Sequence, residues 1–198
     1  MKRLFFAFCF LFIFFAGINA QIYKAKDGAT LISFFSEAPL ENIEASNKGA
    51  IIVFNTTTND IQVRVSIQNF KFKNSLMEEH FNENYMETDK KGPNDANGSA
   101  TYPNRSAIFK GKINEKIDYS KDGEHKVTVP GKMELHGVTK DVVLEGTLTK
   151  NGNDIGISSK FKVKVSDYNI KVPSMYVKNI AEVVEVTISS TLEPFQKK

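Results

Sequence analysis

The 198-residue chain has no tryptophan and one cysteine, Cys9. Cys9 lies within an apolar run near the start, so everything downstream is free of thiols. That excludes a disulfide framework, a cysteine-ligated metal and a cysteine nucleophile from residues 21–198. An excess of charge of either sign is also missing. Once Lys2 and Arg3 are set aside with the leader described below, 24 basic residues face 23 acidic ones. A balance this close to neutral gives no electrostatic case for nucleic acid or an anionic membrane as partner. No GxSxG, HExxH, Walker or GxGxxG arrangement is present, and the serines show no triad context, so catalysis is unsupported and the chain reads as a non-enzyme. The only long hydrophobic run covers residues 4–15, short for a spanning helix, and no stop-transfer pattern follows it.

That run belongs to a different pattern. Lys2-Arg3, the uncharged stretch, and Ala16-Gly17-Ile18-Asn19-Ala20 read as a charged n-region, an h-region and a small-residue cleavage site. The pattern predicts a signal peptide over residues 1–20 with cleavage after Ala20. It also predicts one domain over residues 21–198, periplasmic or secreted, with no stable membrane insertion after processing. Seven of the sixteen Phe fall in the leader, so the remaining domain holds nine. About 178 residues are enough for one sizeable interior.

The domain reads as strands and turns around a single helix. Ile61, Val63, Val65 and Ile67 alternate with Gln62, Arg64, Ser66 and Gln68, the clearest period-two strand in the chain. Similar stretches lie at 31–35, 43–53, 106–113, 125–135, 138–149, 155–165 and 184–192. Asp27-Gly28, Ala38-Pro39 and 150–153 supply turns, and Pro173 sits in an irregular segment. Pro130-Gly131 interrupts one strand and predicts a bulge or an edge position. Eight strands of this length joined by short turns favour a closed antiparallel barrel, all-β in class, with a two-sheet sandwich as the alternative. Eight strands can enclose one elongated ligand.

The helix is predicted over residues 74–89. Ser75 and Glu78 read as a capping box. Leu76, Met77, His80 and Phe81 form its apolar side, continued by Asn84; Glu78, Glu79, Asn82 and Glu83 fall mostly opposite. So short a helix must cover something: it either plugs a core or lids a ligand. Residues 90–101 are built from turn formers and predict an exposed, mobile loop. Asp95, Asn97 and Gly98 echo a calcium loop, but Pro93 stands where the first ligand belongs and no downstream Glu closes the cage. Asn55, Asn97 and Asn104 begin glycosylation sequons, relevant only in a cell with that pathway. His80, His125 and His136 lie far apart in sequence, and nothing in their spacing makes a metal site.

Two segments carry a resemblance. Residues 133–145, MELHGVTKDVVLE, and the helix followed by Tyr102-Pro103 and Ala107-Ile108-Phe109-Lys110-Gly111 resemble the YceI-like family of secreted lipid-binding proteins. In the similar branch, Tyr-Pro follows the helix almost directly, so residues 91–101 look like an insertion. The resemblance implies an eight-stranded, lipocalin-like antiparallel barrel with one short inserted α-helix, its apolar lumen holding a polyisoprenoid or similar amphiphile. The GxW signature of true lipocalins is absent for want of Trp. His136, Gly137, Val138 and Thr139 match the family motif and read as turn architecture. Helix-side residues Phe70, Phe72, Met77, Phe81, Tyr85 and Phe109 are the candidates for the lumen wall, each equally consistent with ordinary core. Two classes of function follow: a carrier or scavenger of an apolar lipid such as an isoprenoid-quinone-like molecule, or a ligand-free β-domain acting in stress or interaction. No cofactor is expected beyond a bound polyisoprenoid lipid. A homodimer is compatible with either class and is not specified by the sequence.

Overall fold

The computed structural model describes residues 21–37, 42–172 and 181–195. The predicted leader, the Ala38-Pro39 break and Pro173 lie outside these residues. Eleven antiparallel strands form one sheet: β1 (Ile22–Ala25), β2 (Leu31–Ser36), β3 (Ile43–Asn47), β4 (Ile51–Asn55), β5 (Asp60–Ser66), β6 (Lys71–Phe72), β7 (Ser106–Lys112), β8 (Gly123–Leu135), β9 (Val138–Asn151), β10 (Asp154–Lys164) and β11 (Val183–Pro194). The sheet closes on itself, because β11 pairs both with β1, through Pro194↔Tyr23, and with β2, through Ile188↔Ile32. The ring β1-β4-β5-β7-β8-β9-β10-β11 is a closed barrel of eight strands.

The surplus of strands has a local cause. The first three staves of the barrel are each broken by a bend, so β1–β2, β3–β4 and β5–β6 are halves of single staves. The first bend is the Asp27-Gly28 turn, where Gly28 takes a φ of +73° that a side chain would resist. Across it, Lys26 N–H still donates to the Thr191 carbonyl at 2.9 Å, so both halves stay on β11. The second bend is held by Asn47, almost wholly buried. Its Nδ2 donates to the Ser66 carbonyl at 2.8 Å and its Oδ1 accepts from Gly49 N–H at 2.8 Å. The third is a single 3-10 turn, Ile67–Asn69.

Pro130 sits where its missing N–H costs nothing. The β7–β8 ladder runs only from Ile108↔Glu134 to Gly111↔Gly131, so Pro130 lies just past its end. Beyond it β8 stays paired with β9, while on the β7 side Asn114 N–H donates to the Thr128 carbonyl at 3.0 Å and the Glu115 carboxylate takes the Thr128 N–H at 3.0 and 2.9 Å. This is the predicted edge position. The facing glycines, Gly111 and Gly131, are required by packing: the Phe109 ring lies across both, and a Cβ on Gly111 would fall 2.5 Å from its Cζ. The His136-Gly137 turn has φ of +52° and +72° at its two residues, the backbone of a tight hairpin whose twist matches the strands it joins.

The interior is filled unevenly. At the barrel end away from the helix, Tyr23, Phe54, Ile155 and Leu192 are at most 2 % exposed and pack solidly. Tyr119 closes that end edge-on to Phe54 at 5.8 Å, its hydroxyl donating to Asn59 Oδ1 at 2.8 Å and pushed up to about 12 by burial. The opposite end is where the helix lies.

The helix differs from its expected form in three respects. Its regular α portion, α1, is only Ser75–His80, and residues Phe81–Tyr85 continue it as a π-turn. The N-cap is Asn74, not Ser75: Asn74 is extended and its Oδ1 accepts from Leu76 N–H at 2.9 Å. No capping box forms, because the Glu78 carboxylate is taken by Lys71 at 2.6 Å and faces Phe72 N–H at 3.5 Å. The Lys71 ammonium holds Glu78 below the usual carboxylate range. The buried side is also displaced by about a residue. Leu76 is 55 % exposed and Asn84 is exposed, while Asn82 is half-buried and Met86 is buried.

Residues 90–101 are exposed but carry their own hydrogen bonds. Gly92 N–H donates to Thr101 O at 2.9 Å, and Asp95 Oδ1 accepts from Asn97 and Ser99 N–H at 2.9 and 2.8 Å. The Asp95 carboxylate thus braces its own turn. Among the described residues no cluster of His, Asp and Glu has the arrangement of a metal site. No helix among them is long and apolar enough to cross a membrane.

Candidate ligand cavity

A cavity occupies the helix-side part of the barrel. Strand alternation builds it: inward residues of β5, β7 and β8 form one wall, and Leu144, Ile157, Phe161, Val186 and Ile188 of β9–β11 form the other. Leu148 and Ile113 make the floor above the filled end, and Phe34, Phe70, Phe81, Tyr85 and Met86 make the roof. Its free volume is about 220 Å³.

The wall is almost entirely carbon. No Lys, Arg or His contributes to it. Glu145, Thr147 and Ser158 border it, but they occupy the outward register of β9 and β10. Ser159 faces in, and its hydroxyl is already donated to the Glu145 carbonyl at 2.5 Å. Tyr85 shows its ring to the cavity, while its hydroxyl is tucked between neighbouring groups, buried and without a hydrogen-bond partner. Burial pushes that phenol well above its ordinary range.

The roof is an aromatic cluster centred on Phe81. Its ring lies 5.0 Å from Phe72, 5.5 Å from Phe34, 6.0 Å from Tyr85 and 6.1 Å from Phe70. Such pairs add about 0.5–1.5 kcal/mol each beyond burial. The six wall candidates divide accordingly. Phe70, Phe81, Tyr85 and Phe109 line the cavity; Phe72 and Met77 do not. Phe72 stands behind the roof, edge-on to Phe34 at 5.8 Å, and Met77 belongs to a helical turn in which no residue is buried. Missing from those candidates was the wall of β9–β11. Its signal was legible, since Leu144, Leu148, Val186 and Ile188 alternate with polar residues, but alternation alone does not separate a cavity wall from filled core.

The family motif pins the helix end to the barrel. His136 is buried, with Nδ1 3.1 Å from the Tyr168 carbonyl and Nε2 3.5 Å from a Glu87 carboxylate oxygen. Asn104 Nδ2 donates to the Glu87 carbonyl at 3.2 Å, and Arg105 pairs with Asp89 at 2.5 Å. His80 and His125 do not join His136 in a cluster.

Comparison with known proteins agrees with this architecture. No curated protein matches the sequence. Among solved structures, a polyisoprenoid binding domain from Saccharophagus degradans implicated in plant cell wall breakdown superposes with a TM-score of 0.70 at 13% identity, covering 87% of this chain and 98% of that one. BcnA of Burkholderia cenocepacia superposes at 0.64 with 16% identity, over 84% and 98% of the two chains. The Campylobacter jejuni YCEI protein does so at 0.55 with 17% identity, over 81% and 90%. Identities this low speak to fold alone. The family match is made on sequence: residues 32–192 fit the YceI-like domain, which takes in β2 through most of β11 and the whole cavity wall. The chain therefore belongs to the YceI-like family.

Proposed function

We propose that this protein binds and carries an apolar long-chain lipid, polyisoprenoid or isoprenoid-quinone-like in character, outside the cytoplasm and without transforming it. One observation carries the reading: the carbon-walled cavity of about 220 Å³ between the filled barrel end and the aromatic roof. An apolar void forfeits the contacts its wall would otherwise make, at about 24 cal/mol per Å³, so leaving this one empty would cost up to about 5 kcal/mol. A hydrocarbon chain fills it and contributes about 0.8 kcal/mol per buried methylene.

The wall also says what the lipid lacks. A charged head placed inside would lose its hydration without a counter-ion, since no Lys, Arg or His lines the space and Glu145, the one carboxylate bordering it, lies in the outward register of β9. The part enclosed is therefore neutral. The polyisoprenoid binding attributed to the Saccharophagus degradans domain supports the same class of ligand here. Export follows from the leader pattern of residues 1–20, which would place the carrier in the periplasm or the medium.

The test is a titration with prenyl alcohols of graded length. Affinity is expected to rise with each isoprene unit until the cavity is full, then level off, and to change little between low and high salt. Absence of binding at every length contradicts the carrier reading.

A further inference from the structure

We propose that the π-turn Phe81–Tyr85 is the gate of the cavity, a closed latch in which the Phe81 aromatic cluster works against two polar atoms buried without partners. Its purpose rests on the lipid-binding reading; its mechanics do not need a ligand.

Phe81–Tyr85 sits between two pinned ends. On one side Lys71 holds Glu78 at 2.6 Å. On the other, Arg105 holds Asp89 at 2.5 Å, and Gln68 Nε2 donates to Thr88 Oγ1 and Asp89 Oδ1 at 3.3 Å each. Between these points the segment rests on the barrel through the Phe81 and Tyr85 rings and the buried Met86 side chain. No residue of α1 is buried, and Phe81 and Tyr85 are only half-buried.

The backbone there is irregular. A π-turn is rare and recurs at functional sites. Here Met86 N–H reaches back five residues to Phe81 O at 2.8 Å, and Thr88 N–H reaches six to Asn82 O at 2.8 Å. The widened turn sets Phe81 and Tyr85 together on the roof. It also buries the Tyr85 hydroxyl and Asn82 Oδ1, neither of which finds a hydrogen-bond partner. Water cannot serve the hydroxyl in the closed form, because it is shut off from both solvent and cavity. A buried unpaired group loses its hydration for nothing, and that loss is recovered when the segment swings out.

Most other described boundaries of the cavity are harder to open. β8 and β9 are paired from Gly123↔Lys150 to Leu135↔Val138, and β10 and β11 from Ile155↔Leu192 to Lys164↔Val183. The β9–β10 ladder is shorter: it stops at Gly146↔Ser159, where the Ser159 hydroxyl donates to the Glu145 carbonyl. The far end is packed solid by Tyr23, Phe54 and Leu192. Among the described residues, the roof and the seam past Gly146↔Ser159 have the least pairing to break, and of these two the roof carries the buried unpartnered atoms that favour opening.

The consequence is testable and runs against intuition. Tyr85→Phe keeps the ring and removes the unpaired hydroxyl, so it should hold the gate shut more firmly. In the lipid-free protein, hydrogen exchange at the Met86 and Thr88 amides should slow about tenfold, with the Leu148 amide unchanged. Release of a dansyl-tagged farnesyl chain should slow by a similar factor. Phe81→Ala, which removes the centre of the latch, should speed both. The gate is overturned if Tyr85→Phe leaves exchange at 86 and 88 unchanged or faster, or slows Leu148 equally, which would mark global unfolding. It is also overturned if exchange slows but farnesyl release does not, since the ligand would then leave elsewhere. If neither protein binds the farnesyl probe while protection at 86 and 88 still rises in Tyr85→Phe, the gate stands and the lipid reading fails.

Discussion

Filling the cavity should affect stability and binding in opposite directions, a signature that an ordinary core position does not give. Ile157 is the position to use. It lies on β10 with its side chain at the cavity, and its ladder neighbours are Leu148 on β9 and the small Ser190 on β11. Ile157→Phe adds three carbons into empty space. At about 0.8 kcal/mol per buried carbon, the lipid-free protein gains up to about 2 kcal/mol. For a domain of this size that raises the melting temperature by roughly 4–8 °C. The same carbons displace a matching length of lipid chain, so affinity should fall by about 2 kcal/mol, or roughly thirtyfold. Calorimetry of the delipidated protein and a prenyl-alcohol titration read the two effects separately. Overpacking a filled core typically costs about 1–3 kcal/mol. A lower melting temperature together with unchanged lipid affinity would therefore refute the reasoning and show that Ile157 faces no usable space.

Other substitutions test the surrounding structure. Asn74→Ala should cost about 1 kcal/mol in denaturant melts and Ser75→Ala less than about 0.5, because Asn74 caps the helix; the reverse order would restore the capping box. Gly131→Ala should destabilise by about 1–3 kcal/mol, since a Cβ there meets the Lys110 carbonyl and the Phe109 ring; a neutral result would mean β7 and β8 separate freely. Deleting residues 92–100 should change stability by less than about 1 kcal/mol, because only the insertion's own hydrogen bonds are lost; loss of cooperative melting would place it in the core. The Glu115 carboxylate lies below its ordinary range because Thr128 N–H donates to it, so its contribution is complete above the unfolded carboxylate value, about 4.3, and is lost as pH falls through the lower folded value. The Thr128 amide resonance should report that titration in wild type and not in Glu115→Gln.

The parts of this fold that sequence made legible are those with local causes. Period-two alternation in Ile61–Ile67 marks a strand with one dry face, and His136-Gly137 between two such strands marks a tight turn. Of the three bends, the Asp27-Gly28 turn reads locally, but the second does not, because Asn47 holds it by reaching Ser66, nineteen residues away. The cap was ambiguous because Asn74 and Ser75 are both good capping residues. Lys71 decides the matter by drawing Glu78 away from Ser75. The π-turn shifts the buried side of the helix, which puts Leu76 in solvent and Tyr85 on the roof. No pattern within Phe81–Tyr85 announces it. The cavity itself is not a local property. Leu144 and Ile157 line it and Ile155 is packed solid, yet all three read alike in sequence as inward strand residues. Only the summed volume of all the inward side chains leaves a gap on one side and none on the other.

The most direct measurement is the intact mass of the protein purified without detergent, recorded under non-denaturing conditions before and after organic extraction. The carrier reading predicts an added mass that extraction removes, with the extract containing a neutral long-chain lipid and the emptied protein taking up a prenyl alcohol in its place. A protein that emerges with the bare polypeptide mass and takes up no prenyl chain would contradict it.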